Sequence, residues 1–289
     1  MRSRGWAGAI LLLPFMVTPT AEAPRADRPL TIVLRELRKI QRTEAYYRDA
    51  IVPPEAQSGL REAKQHLREL VLSYLNQAPA GRESARDTRE GIIRKLKDQR
   101  VLVGLEPNRQ TELGYGYLLE VEVGSVGNDA SLLVVNTTLS VPCGSDSSLM
   151  LLRRGNSGWQ AILVDESLDY GDISGAHGSL GWRASAPDSG NSLLMVIADI
   201  PPWCSSVWRP LRYRAYRVGS GLEKPVKLIS RSTDAIAMDE GYEIRVDASG
   251  FSLSYSVDDK NNRGTRARET LNFRIQGNEA LPGSSRPDG

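Results

Sequence analysis

The 289-residue chain is 40% hydrophobic and 25% charged, ordinary values for a globular protein with one or two cored domains. Its formal net charge of +2 gives no basis for a nucleic-acid partner bound through bulk electrostatics. With two cysteines and no CxxC or Cys/His cluster, neither a metal nor another cofactor is expected.

The start, MRSRGWAGAILLLPFMVTPTAEA, has the three parts of a secretory signal: Arg2 and Arg4, the apolar run Trp6 to Val17, and the small-x-small motif Ala21-Glu22-Ala23. The apolar run is too short to span a bilayer comfortably. Residues 1–23 are therefore read as a signal peptide or, because Pro24 fits poorly after a cut, as an uncleaved anchor. Export places the chain in the periplasm or outside the cell. It also makes a Cys143–Cys204 disulfide the simplest fate of the two thiols.

Residues 24–111 read as helical. Val33, Leu34, Leu37, Ile40, Tyr47 and Ile51 keep the spacing of one helical face as far as Pro53-Pro54, which ends it. A second helix starts near Glu55 with the stripe Leu60, Ala63, Leu67, Leu70, Val71, Tyr74 and Leu75. A third carries Ile92, Ile93 and Leu96, although Gly91 sits in its middle.

Residues 112–277 change to short alternating segments, about ten candidate strands with polar turns between them. LLVVNTTLSV and LLMVIADI are nearly continuous apolar runs, as expected of central strands covered on both faces. Around the Asp-Ala-Ser-Gly turn, Tyr242, Ile244 and Val246 face Phe251, Leu253, Tyr255 and Val257 in a hairpin. The expected class is α+β: a helical segment, then a mainly antiparallel β-domain of sandwich or barrel type. The echoes GNSGW and GSLGW are too brief to make a repeat, and residues 278–289 read as a disordered tail. Charge divides between the parts, +5 over residues 24–112 and −4 over residues 113–289, which favours their docking.

Chemistry-bearing motifs are few. GxSxG, Walker, GxGxxG and HExxH patterns are absent, and His66 and His177 are the only histidines. Asp165, Glu166, Asp169, Asp172 and His177 gather within VDESLDYGDISGAHGS and are the candidate acid/base residues. The Gly- and Ser-rich setting favours an exposed polar loop instead. Asp259, Asn261 and Gly264 mimic a calcium loop, but Arg263 and Thr270 occupy ligand positions, so a polar turn is expected. Asn136-Thr137-Thr138 is a glycosylation sequon inside an apolar strand.

PPWCSSVWRPLRYRAYR, residues 201–217, is the remaining feature. Strand alternation puts Leu211, Tyr213 and Ala215 on one face and Trp208, Arg212, Arg214 and Tyr216 on the other. Pro210 marks a sheet edge or bulge. Arg stems packed over aromatic rings commonly cover a sheet face, and that structural role is the first expectation; these four residues are also the candidate binding set. The function expected is that of a non-catalytic exported binding or structural module, with a cell-wall, glycan or envelope-protein partner, no nucleic acid, and membrane contact only through the N-terminal segment. The alternatives are a secreted hydrolase using the carboxylates of residues 165–172, and an anchored accessory subunit.

Overall fold

The computed structural model describes residues 28–40, 51–78, 84–104, 114–127, 129–204, 208–237, 241–258 and 266–283. The segment read as a signal, residues 1–23, and the calcium-loop mimic at 259–264 lie outside the described residues. Among the described residues three helices come first: α1 (Leu30–Lys39), α2 (Pro54–Gln77) and α3 (Ala85–Asp98). Twelve described strands follow in three antiparallel sheets of four. The α+β expectation is met.

Helix α1 buries Leu30, Val33, Leu34 and Leu37, the first half of the expected face. Tyr47 falls outside the described residues, and Ile51, expected on the same face, is exposed while Val52 is buried. Pro54 opens α2 at a position where its missing N–H costs no helical bond. Ser84 caps α3: its hydroxyl accepts from the Asp87 N–H at 3.1 Å, and the Asp87 carboxylate accepts from the Ser84 N–H at 3.3 Å. Gly91 lies in mid-helix because the Tyr74 ring of α2 passes there. A Cβ at residue 91 would stand 1.8 Å from the Tyr74 hydroxyl oxygen.

The first sheet holds β1 (Leu118–Val126), β2 (Asp129–Val141), β3 (Gly144–Gly155) and β4 (Gly158–Glu166) in meander order. The second holds β5 (Ser179–Ala184), β6 (Leu193–Ile200), β7 (Trp208–Val218) and β8 (Val226–Ala237). The third holds β9 (Tyr242–Asp247), β10 (Gly250–Asp258), β11 (Arg266–Gln276) and β12 (Glu279–Pro282). The predicted hairpin is β9–β10, with Phe251 opposite Val246 and Leu253 opposite Ile244. The expected tail is corrected at its start: residues 279–282 pair with β11, because Ala280 joins the buried cluster under that sheet.

The elements stack in four layers, and strand alternation explains why. On β2, Leu133 and Val135 join the helices in one apolar cluster, while Leu132 and Val134 turn the other way. The latter meet Leu193, Met195 and Ile197 of β6. The alternate residues of β6, Leu194, Val196 and Ala198, pack with Phe251, Leu253 and Tyr255 of the third sheet. Both uninterrupted apolar runs are therefore interior strands covered on two faces, as their composition predicts. The sheets pack face to face in the manner of sandwiches.

Cys143 and Cys204 are disulfide-bonded with Cα atoms 5.1 Å apart. The crosslink spans 61 residues of sequence, a loop worth about 4 kcal/mol on the chain-entropy account. It ties the β2–β3 turn to the β6–β7 connection, and the two run so close that a Cβ on Gly144 would lie 2.5 Å from Pro202 Cβ.

Candidate functional site

The candidate acid/base loop is a fastened plug at the end of the first sheet, not an exposed polar loop. Tyr170, Ile173 and Ala176 are each at most 1% exposed and belong to the helix-side core. The plug is held on both faces of that sheet. On the helix side, Lys64 of α2 pairs with Asp146 of β3 at 2.7 Å, both fully buried. The Tyr170 hydroxyl donates to Asp146 Oδ2 at 2.6 Å, and the His177 N–H donates to its Oδ1 at 3.1 Å. Burial, with Asp146 alongside, pushes the Tyr170 hydroxyl far above its ordinary pKa, so it stays a donor.

On the other face, between the first and second sheets, Arg214 of β7 bridges two buried carboxylates. Its Nε and Nη2 each meet Asp165 of β4 at 2.6 Å, and its Nη1 meets Asp199 of β6 at 2.6 Å. Asp199 also accepts from Arg212, whose Nη1 continues to the Ser174 carbonyl at 2.9 Å. The Tyr216 hydroxyl lies 3.3 Å from Asp165 Oδ2. Burial alone would lower the Arg214 pKa; the bonds and charges of Asp165 and Asp199 outweigh it and leave the pKa raised. His177 Nδ1 lies 3.3 Å from both Asp165 Oδ1 and Arg214 Nη2. Burial leads the lowering of its pKa, and the nearby guanidinium groups act in the same sense against the raising pull of Asp199 and Asp165. The net effect favours the neutral ring.

The remaining candidates have separate occupations. Glu166 pairs with Arg68 of α2 and accepts from the Ser148 hydroxyl at 2.7 Å. Asp172 accepts from the Ser174 N–H at 2.8 Å, capping the 3-10 turn Ile173–Gly175. Asp169 is exposed, with its carbonyl accepting from the Ser167 hydroxyl at 3.1 Å. Asp165 and Glu166 are thus held on opposite faces of the first sheet, by Arg214 and Arg68, Asp172 caps a turn, and Asp169 faces outward, so the set does not converge on a cleft. His66 lies apart on α2 beside Glu62 and Glu69.

Of the candidate binding set, Arg212, Arg214 and Tyr216 share one face of β7, as alternation predicts, but that face is interior. Arg214 is 8% exposed and Tyr216 5%. A register shift between Pro210 and Arg212 separates Trp208 from this row, and Arg266 of the third sheet lies over the Trp208 ring at 5.9 Å. Pro210 marks that bulge, in a strand with neighbours on both sides.

An open groove of about 900 Å³ lies elsewhere, where α3 meets the first sheet. Arg89 and Lys97 of α3 face it from one wall, Glu120 and Glu122 of β1 from another, and Trp203 with the disulfide closes one end. The Arg89 guanidinium fastens the walls together by donating to the Val121 carbonyl at 2.8 Å. Asn136 lines the groove at 4% exposure, and its Oδ1 has no hydrogen-bond partner among the described residues. The sequon asparagine is therefore interior. Sequence reasoning missed this groove because its walls come from distant segments. It also missed Asp199, although an aspartate in a strand buried on both faces was a legible sign that a cation must meet it.

No protein-family model matches the chain, and no curated protein matches it. Among solved structures, a fructofuranosidase variant from Schwanniomyces occidentalis complexed with fructosylnystose is similar at a TM-score of 0.30 and 10% identity, over 59% of this chain and 35% of that one. The same organism's fructofuranosidase complexed with fructose gives 0.30 and 9%, over 58% and 34%. The chain spans about a third of the length of each. At that TM-score neither likeness bears on fold or function.

Proposed function

We propose that the chain is an exported, non-catalytic envelope or extracellular module that binds a glycan in the groove between α3 and β1. The groove itself carries this reading: an open channel of about 900 Å³, within the size range of ligand sites, lined by an aromatic ring and by polar groups of both donor and acceptor type. Trp203 supplies a face on which a sugar ring can stack, and Glu120, Glu122 and Thr138 supply hydroxyl partners. The disulfide at the groove's end suits an oxidising extracellular or periplasmic compartment and holds the Trp203 segment in place, lowering the ordering cost of binding. The hydrolase alternative is weakened by Asp165 and Glu166, whose oxygens are committed to Arg214 and Arg68.

Titration of the protein with soluble cell-wall glycan fragments, followed by tryptophan fluorescence and calorimetry, tests the reading. Glu122→Gln is expected to weaken binding about tenfold, the loss of one charge-assisted hydrogen bond, with stability unchanged because Glu122 is exposed. Trp203→Phe is expected to keep most of the affinity. Absence of saturable binding by any fragment, or equal affinity in the Glu122 variant, refutes it.

A further inference from the structure

A cavity lies at the opposite end of the layer between the first two sheets. Leu149, Leu151 and Arg153 follow one another on the same face of β3, and all three are buried. The leucines join the apolar cluster between the sheets. Arg153 ends the row, 5% exposed, opposite Leu132 of β2 and Gln160 of β4. Its neighbour Arg154 points to the other face and is exposed.

Unlike Arg214 at the far end of the layer, Arg153 meets no carboxylate among the described residues. No ion pair to it occurs among the described residues, and its Nε has no hydrogen-bond partner there. A buried guanidinium without a counter-charge is costly, and folded proteins keep such groups paired. Arg153 lines a cavity of about 510 Å³, the size of a small-ligand pocket. Leu132, Leu193 and Pro187 form its apolar wall, and Asn191 and Ser220 bring polar groups from exposed turns.

We propose that this cavity binds a small organic carboxylate, its carboxylate on the Arg153 guanidinium and its apolar body against Leu132, Leu193 and Pro187. The planar fork of the guanidinium matches a carboxylate through two parallel hydrogen bonds. The apolar wall favours a ligand with a short hydrocarbon body over a fully hydrated inorganic anion. The site shares no residue with the groove beside α3, so its failure and that of the glycan reading are separable.

Calorimetric and thermal-shift titrations of the full chain with hexanoate, acetate and hexanamide test the proposal. Hexanoate is expected to bind saturably and raise Tm by about 3–5 °C at ten times its Kd. Acetate, lacking the body, is expected to bind at least tenfold more weakly, and hexanamide, lacking the charge, to give no shift. Arg153→Lys keeps the charge but loses the fork, and is expected to weaken hexanoate at least tenfold. Arg153→Met is expected to abolish the shift while leaving the ligand-free Tm equal to or above that of the natural chain. No saturable heat with hexanoate, equal shifts from hexanoate and hexanamide, or a lowered ligand-free Tm in Arg153→Met overturns it. The titration of the unaltered chain decides even if a variant fails to fold.

Discussion

Replacing Arg214 by Met removes the cation that two buried carboxylates share. Arg214 makes three hydrogen bonds of 2.6 Å, two to Asp165 and one to Asp199, and the paired side chains are between 0% and 9% exposed. Asp199 would keep Arg212, but among the described residues Asp165 would retain only the longer contacts to Tyr216 and His177. Three charge-assisted bonds at about 1.5–3 kcal/mol each set an upper bound near 9 kcal/mol. Met recovers part of the loss by packing in the space of the arginine stem, and breaking one side of a buried pair costs about 3–5 kcal/mol in comparable cases. The expected loss is therefore about 3–5 kcal/mol, a large share of the 5–15 kcal/mol typical of a folded domain. Urea unfolding at pH 7, followed by tryptophan fluorescence and circular dichroism, measures it. The double variant Arg214→Met with Asp165→Asn should recover more than about 1 kcal/mol, because the second change removes the orphaned charge. A single-variant loss below about 1 kcal/mol, or no recovery in the double variant, would refute the account of Arg214 as the clamp between the sheets.

The other expectations follow from individual contacts. Because the folded pKa of His177 lies below its ordinary value, the unfolded chain binds the proton more readily, so stability should fall as pH drops from about 7 toward 5. His177→Gln should flatten that slope in urea titrations across the same window, and an unchanged slope would remove His177 as its cause. Gly91→Val should cost about 1–3 kcal/mol by driving a side chain into the Tyr74 ring, whereas Thr at the exposed Arg94 should cost under about 1 kcal/mol; thermal unfolding compares them.

Much of the architecture is readable along the chain because it rests on local pattern. The change from three-to-four spacing to alternation near residue 112 separates helices from strands, and the first strand begins at Leu118. The runs of β2 and β6 announce strands covered on both faces. Two lone cysteines, in a chain whose start reads as a secretory signal, announce their bond. Alternation also sorted Leu211, Tyr213 and Ala215 from Arg212, Arg214 and Tyr216 correctly. What alternation does not carry is the identity of the layer that covers each face, since a period of two gives direction and not partner.

That choice belongs to contacts between distant residues. Arg214 reaches Asp165 across 49 positions and Lys64 reaches the Ser167 carbonyl across 103, so neither pairing leaves a trace in local spacing. The same stacking turned the residue 164–179 segment from an apparently open, polar loop into a plug anchored by Tyr170, Ile173 and Ala176, and the Arg-Tyr row from a candidate surface into an interior clamp. Between Pro210 and Arg212 the pairing slips by one residue of β8, and Trp208, beyond that irregularity, sits beneath Arg266 of the third sheet. Composition and periodicity determined which segments are helix or strand and which side chains share a face. Only the order of the layers decided which charges meet, because a charge buried in a low-dielectric interior must find its counter-charge in space, wherever that partner lies in the sequence.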